Sequence, residues 1–186
     1  MKKIFFVTGR PGVGKTTVLL RIIEKLRSEG YTVGGMLSRE VRKEGTRIGF
    51  EVLDLKTGRK GWLAHINQPA GPRIGKYRVN LQDLNSVGVK AILEALEKAD
   101  VIAIDEVGPM ELYSQAFVEA VKKALESNKP VIGTVHFRAK HKIIDYLKKR
   151  DDSEIFQVTL ENRSKLHKLI TERILMMLKG KQKLEG

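Results

Sequence analysis

The sequence predicts an α/β fold of three layers, with helices on both faces of a mainly parallel sheet. Three observations predict it. Short apolar, β-favouring runs alternate with longer segments whose apolar residues recur at helical spacing. The alternation is interrupted once, between about residues 38 and 80, and then resumes with the same rhythm. The chain has 186 residues, the size of a single α/β domain with room for an embellishment.

Lys2–Thr8 reads as a buried strand, and Gly9–Gly14 is a glycine-rich loop. Lys15–Glu29 then places Val18, Leu19, Ile22, Ile23 and Leu26 on one helical face, and Gly30 closes that helix from the C′ position. Thr32–Leu37 is a second strand. Thr46–Leu55 and Lys60–Ile66 flank Lys56-Thr57-Gly58-Arg59 as an inserted β-hairpin. Asn67–Gly75 holds two prolines and two glycines and reads as a loop. Leu81–Lys98 is helical with a break near Ser86-Val87-Gly88. Val101–Asp105, Val131–Val135 and Ile155–Thr159 are strands; Gln115–Ser127, Lys140–Arg150 and Arg163–Lys179 are helices. Residues 1–178 make one domain, and Lys179–Gly186 is read as a basic tail, expected to be mobile.

Composition excludes several classes. Hydrophobic residues are 41% of the chain, ordinary for a folded protein and too many for a disordered one. No apolar run approaches the roughly 20 residues that span a bilayer, so no membrane partner is expected. Ile4–Val7 is too short for the apolar region of a signal peptide. With no cysteine, disulfides and thiolate metal sites are excluded, and a cytoplasmic location is expected. Lys and Arg number 35 against 22 Asp and Glu, a net charge of +13, with a pI near 9.9. This favours anionic partners, whether nucleotides or nucleic acid. The basic residues are scattered along the chain, which favours a Lys-rich surface of thermophile type around a site that holds a polyanion. No nucleic-acid motif accompanies it.

The chemistry lies in two segments. Gly9-Arg10-Pro11-Gly12-Val13-Gly14-Lys15-Thr16 fits G-x-x-x-x-G-K-[ST] between a strand and a helix, the context of a Walker A loop. Glycines let successive backbone N–H groups converge on phosphate oxygens. The following helix adds the positive end of its dipole. Lys15 reaches the β- and γ-phosphates, the Thr16 hydroxyl ligates Mg²⁺, and Thr17 lies near the α-phosphate. Val101–Ile104 is an apolar strand ending in Asp105 and Glu106, the Walker B pattern: Asp105 for Mg²⁺, Glu106 to orient or deprotonate a water. Thr134 and His136, at the end of a later strand, are candidates to sense the γ-phosphate if that strand lies between the two Walker strands. Arg73, Arg138 and Arg163 are candidate transition-state cations, each competing with an ordinary surface role. Trp62 and Tyr77 are more readily packing residues of the hairpin than base-stacking ones. Asn162 and Arg163 are the nameable base readers, and Asn162 is equally a cap for the last helix.

Asp105-Glu106-Val107-Gly108-Pro109-Met110-Glu111-Leu112 resembles the signature of the THEP nucleoside-triphosphatases, whose animal members are called cancer-related nucleoside-triphosphatases. Gly35-Met36-Leu37 with Glu40-Val41-Arg42, Gly75-Lys76-Tyr77-Arg78-Val79 and Thr159-Leu160-Glu161-Asn162-Arg163 extend the resemblance over most of the chain in the same order. It implies a P-loop fold and Mg²⁺-dependent hydrolysis of ATP, GTP, CTP and UTP with little base preference. It also implies that Asp105, Glu106, Val107 and Gly108 border the nucleotide. The Asp-Glu pair suggests a strand between the two Walker strands, hence a parallel order 5-1-4-3-2. Two other functions compete. A small kinase would need an acceptor pocket, for which the Trp62–Arg78 stretch is the candidate. A nucleotide-switched binder of RNA or protein would draw on the charge.

Overall fold

The computed structural model describes residues 1–185. One nine-stranded sheet organises them, in the order β5-β6-β4-β3-β2-β7-β8-β1-β9. Its parallel half comprises β1 (Ile4–Thr8), the start of β2 (Val33–Lys43), β7 (Val101–Val107), β8 (Val131–Val135) and β9 (Ser153–Gln157). Counted along the chain, these five strands stand in the order 5-1-4-3-2, as the Asp-Glu pair suggested. β8 lies between the strands carrying the two Walker segments. The central strands read as continuous apolar runs because both faces are covered. Ile4, Phe6, Ile102 and Ile104 point into one core, beneath α3 (Lys90–Lys98), α4 (Gln115–Glu126) and α5 (Lys142–Lys149). Phe5, Val7, Val101 and Ala103 point into the other, beneath α1 (Lys15–Ser28) and α6 (Leu166–Glu185). That period of two divides each strand between two cores and makes the three layers.

Beyond β2 the sheet turns antiparallel. The inserted hairpin is β3 (Thr46–Asp54) with β4 (Lys60–His65), as the sequence predicts, but it is one part of a larger extension. β2 runs six residues past its predicted end, and Met36–Lys43 pairs with β3 through a turn at Glu44-Gly45. β6 (Tyr77–Val79) joins β4, and β5 (Arg73–Ile74) closes the edge inside the stretch read as loop. The predicted break in the next helix is a π-helical turn, Leu84–Val89, between α2 (Leu81–Asp83) and α3. Gly88 sits there because a Cβ would come within 2.9 Å of Val52 and 3.0 Å of the Met36 sulfur. At the other end of the chain, α6 continues through Lys179, Lys181 and Lys183 to Glu185, past the start of the predicted tail. Gly186 lies outside the described residues.

Candidate active site

The loop Gly9–Gly14 leaves the C-terminal end of β1 and enters α1 at Lys15. Gly12 and Gly14 adopt φ of +77° and +111°, values that side chains with a Cβ rarely tolerate, so the turn needs glycine at both positions. No acidic residue occupies the first turn of α1, so its N-terminus keeps an uncompensated positive dipole. Arg10, Pro11, Thr16 and Thr17 are exposed, while Val13 and Lys15 are partly covered. The Arg163 side chain packs 3.6 Å from where a Gly14 Cβ would stand, at the outer side of the loop.

At the ends of β7 and β8 the acidic groups meet this loop. Asp105 is buried and receives two hydroxyl donors: Thr16 Oγ1 to Oδ2 at 3.0 Å and Thr134 Oγ1 to Oδ1 at 2.6 Å. Burial raises its pKa to about 6 against the Thr134 hydrogen bond, which favours the ionised form, and the nearby Glu106 charge adds to the rise. The peptide bond between Asp105 and Glu106 is cis. Glu106 points at the loop instead: its Oε2 lies 3.0 Å from Lys15 Nζ, a largely covered ion pair. His136 closes the site from β8. Its Nδ1 accepts from the backbone N–H groups of Arg138 and Ala139, both at 3.1 Å, which assigns the proton to Nε2. Burial holds its pKa below the usual histidine value, with Glu106 opposing and Lys15 reinforcing the shift.

Pro11, Gly12, Lys15, Thr16, Asp105, Glu106 and His136 share one cleft of about 390 Å³. Gly108 lies beneath it: a Cβ there would stand 2.9 Å from Glu106 Oε1 and 3.1 Å from Glu111 Oε2. Val107 is buried in the core, with its carbonyl accepting from the His136 N–H. Other sequence candidates lie apart from the cleft. Arg138 is exposed and stacks over Phe137, and Arg73 is an exposed residue of the edge strand. Trp62 packs edge-on against His65, and Tyr77 is buried with its ring 5.3 Å from Phe50, so both are packing residues. Asn162 does not cap the last helix. Its Oδ1 accepts from Thr159 N–H and its Nδ2 donates to the Gln157 carbonyl, which uses both ends of the amide on the turn before α6.

Several cleft residues were not anticipated, among them Glu111, Arg39 and Arg47. Glu111 is fully buried, and its carboxyl is held well above the usual range, first by burial and then by the Glu106 charge. An acidic residue between Met110 and Leu112 in an apolar stretch was the signal that could have found it. Arg39 and Arg47 face the loop from β2 and β3. Their placement depends on strand register, which the local sequence does not carry.

Comparison with known proteins decides which lineage this site belongs to. The family model described as NTPase matches residues 4–171. The nucleoside-triphosphatase THEP1 of Thermofilum pendens is 51% identical over 165 residues, covering 88% of this chain and 91% of that relative. The chain belongs to the THEP1 nucleoside-triphosphatase family. The THEP1 of Methanosarcina acetivorans is 46% identical, covering 92% of this chain and 97% of its own length. Among solved structures, THEP1 from Aquifex aeolicus superposes with a TM-score of 0.79 at 30% identity, covering 91% and 96% of the two chains. A human cancer-related nucleoside triphosphatase superposes at 0.78 with 34% identity, covering 94% and 97%. The THEP1 relatives thus match both the parallel core and the antiparallel extension.

Proposed function

We propose that the protein hydrolyses the terminal phosphate of nucleoside triphosphates with Mg²⁺, accepting ATP, GTP, CTP and UTP alike. The observation that carries this reading is the Lys15–Glu106 ion pair at 3.0 Å, beside the Thr16–Asp105 contact. It sets a phosphate-binding cation, a general base and two hard oxygen donors around one point. The loop N–H groups of Gly9–Thr16 and the N-terminus of α1 hold the phosphates. Lys15 exchanges Glu106 for the β- and γ-phosphates, and the freed Glu106 carboxylate accepts a proton from the attacking water. His136 offers an Nε2–H to a γ-phosphate oxygen, and Thr17 lies beside the α-phosphate. Water attacks the γ-phosphorus, the bond to the bridging oxygen breaks, and the nucleoside diphosphate and inorganic phosphate leave.

The donor set fits Mg²⁺. Thr16 and Asp105 supply oxygens only, and Mg²⁺ is commonly held by one or two protein oxygens plus substrate phosphates and water. Among the described residues no three His, Asp or Glu converge as a ready-made cage, which suits an ion that arrives with its nucleotide. Mg²⁺ held by Thr16 and Asp105 would supply positive charge to offset that of the phosphates. Broad base tolerance follows from Asn162 having both amide ends engaged in its own turn, while Arg163 is exposed to solvent. Strong discrimination needs buried partners that a wrong base leaves unpaired. Steady-state phosphate release from the four nucleotides, with Mg²⁺ and with excess chelator, tests the reading. Specificity constants within about tenfold, or roughly 1.4 kcal/mol, and loss of release with chelator are expected. A preference of about a hundredfold, or metal-independent release, contradicts it.

A further inference from the structure

The cleft extends beyond the loop that would hold the phosphates. It measures about 390 Å³, within the roughly 300–1,000 Å³ typical of small-molecule sites. Phosphates lying on Pro11, Gly12, Lys15 and Thr16 take one end. The other end is a wall raised by the antiparallel extension: Ser38 and Arg39 from β2, Arg47 and Phe50 from β3, Leu63 from β4 and Ile74 from β5. None of these residues is needed to move a proton from water or to hold the triphosphate.

The wall combines two chemistries. Phe50 and Ile74, with the buried Leu63 behind them, offer apolar surface against which a flat ring packs. Arg39 and Arg47 offer planar guanidinium forks, the groups that match phosphate oxygens two at a time. Among the described residues Arg39 commits only its Nε, to Glu51 at 2.7 Å, which leaves both terminal nitrogens to donate. Arg47 is braced in one orientation, since Nε donates to the Tyr77 hydroxyl at 2.8 Å and one terminal nitrogen reaches Glu40 at 3.3 Å. Its guanidinium lies 5.0 Å from the Phe50 ring centre and 5.5 Å from that of Tyr77, with the second terminal nitrogen uncommitted. Glu51 pairs with Arg39 and Lys60, and Glu40 with Arg42 and Arg47, so four cations share two carboxylates and this network stays net positive.

We propose that this wall is a phosphoryl-acceptor subsite for a nucleoside 5′-monophosphate, its phosphate on Arg39 and Arg47 and its base against Phe50 and Ile74. The proposal rests on the reading that a nucleoside triphosphate lies on Gly9–Thr16. An oxygen of the acceptor phosphate dianion attacks the γ-phosphorus, and the bond from that phosphorus to the β,γ-bridging oxygen breaks. Triphosphate and monophosphate become two diphosphates. The charges balance and no proton moves, because a phosphomonoester is largely dianionic above its second pKa of about 6. Glu106 therefore has no base to supply in this reaction, and water is the acceptor when the subsite holds no monophosphate.

The test incubates the full chain with Mg²⁺ and ATP plus CMP, GMP or UMP in turn, and with GTP plus AMP, so that the acceptor's diphosphate is never the one that hydrolysis of the donor releases. Diphosphates are resolved by chromatography and inorganic phosphate is measured in parallel. Wild type is expected to convert at least one monophosphate to its diphosphate. Arg39→Met and Arg47→Met are expected to raise the KM for that monophosphate about tenfold or more. Arg39 is the cleaner of the two variants, since among the described residues its side chain bonds only Glu51. Glu106→Gln is expected to lose phosphate release yet still form the diphosphate. Phosphate release from ATP with no diphosphate formed from any of the four overturns the subsite and leaves hydrolysis standing. Equal loss of both products in Glu106→Gln overturns the base-free transfer. No phosphate release by the wild type overturns the hydrolysis reading instead.

Discussion

Replacing Thr134 by Val tests how Asp105 is held ready for a metal ion. Valine keeps the shape of the side chain and removes one hydroxyl, the donor 2.6 Å from Asp105 Oδ1 in a fully buried position. A hydrogen bond to a charged group contributes about 1.5–3 kcal/mol, and a pKa unit corresponds to about 1.36 kcal/mol. Losing this donor therefore raises the Asp105 pKa by about one to two units above its present value of about 6. At pH 7 the ionised fraction then falls from about nine-tenths to between about a half and a tenth. Protonated Asp105 is a poor Mg²⁺ ligand, so the acid limb of kcat/KM, measured at subsaturating Mg²⁺, moves up by about one to two pH units. The Mg²⁺ concentration giving half-maximal rate at pH 7 rises with it. An unchanged acid limb and unchanged Mg²⁺ dependence in a folded variant would refute the assignment of Asp105 as the metal ligand held by Thr134.

Two further predictions concern Lys15 and Glu111. Lys15→Ala removes the cation proposed to hold the β- and γ-phosphates, so nucleotide affinity should fall about ten- to a hundredfold, from a charged contact of about 1.5–3 kcal/mol. Fluorescent-nucleotide titration measures this, and near-wild-type affinity and turnover would remove Lys15 from the site. Glu111 is buried, and burial raises its folded-state pKa well above the ordinary 4.5. Its contribution to stability is present below 4.5 and is lost as pH rises toward the raised folded value, because only the unfolded chain then ionises it. Glu111→Gln has no proton to lose, so its Tm relative to wild type should climb steadily from pH 4 to pH 7. A difference that stays flat with pH would mean that Glu111 is ionised in the fold.

Much of the fold was legible because its signals are local. The five apolar positions predicted for α1 are the five that are buried, since one helix face meets one core. Gly30 ends that helix at φ +90°, as a C′ glycine should. The loop Gly9–Gly14 and the Asp105-Glu106 pair could be picked out as a candidate site for the same reason, since each is a contiguous run at the end of a strand. The antiparallel extension was harder to read. Arg39-Glu40-Val41-Arg42-Lys43 carries too little apolar character to announce a strand, yet it pairs with β3 through Arg39 opposite Glu51 and a register shift near Val41. Cross-strand pairs of this kind stabilise a strand that its own sequence does not advertise. The same pairing carries Arg39 and Arg47 to the cleft, so they were invisible as site residues. Asn162 illustrates the opposite error: a good capping residue is engaged by the preceding turn, because Thr159 and Gln157 come within its reach first.

The central claim is that Glu106 activates the attacking water on a nucleotide that Lys15 and the loop hold. Glu106→Gln measured for binding and turnover together tests it most directly. Glu106 pairs with Lys15 at 3.0 Å, so the amide frees Lys15 and leaves nucleotide affinity equal to wild type or tighter. Turnover, read as phosphate release at saturating Mg²⁺, should drop by about 10²–10⁴-fold, the usual contribution of a general base. Retained turnover, or a loss of affinity as large as the loss of turnover, would contradict the account and return Glu106 to a role in metal binding or structure.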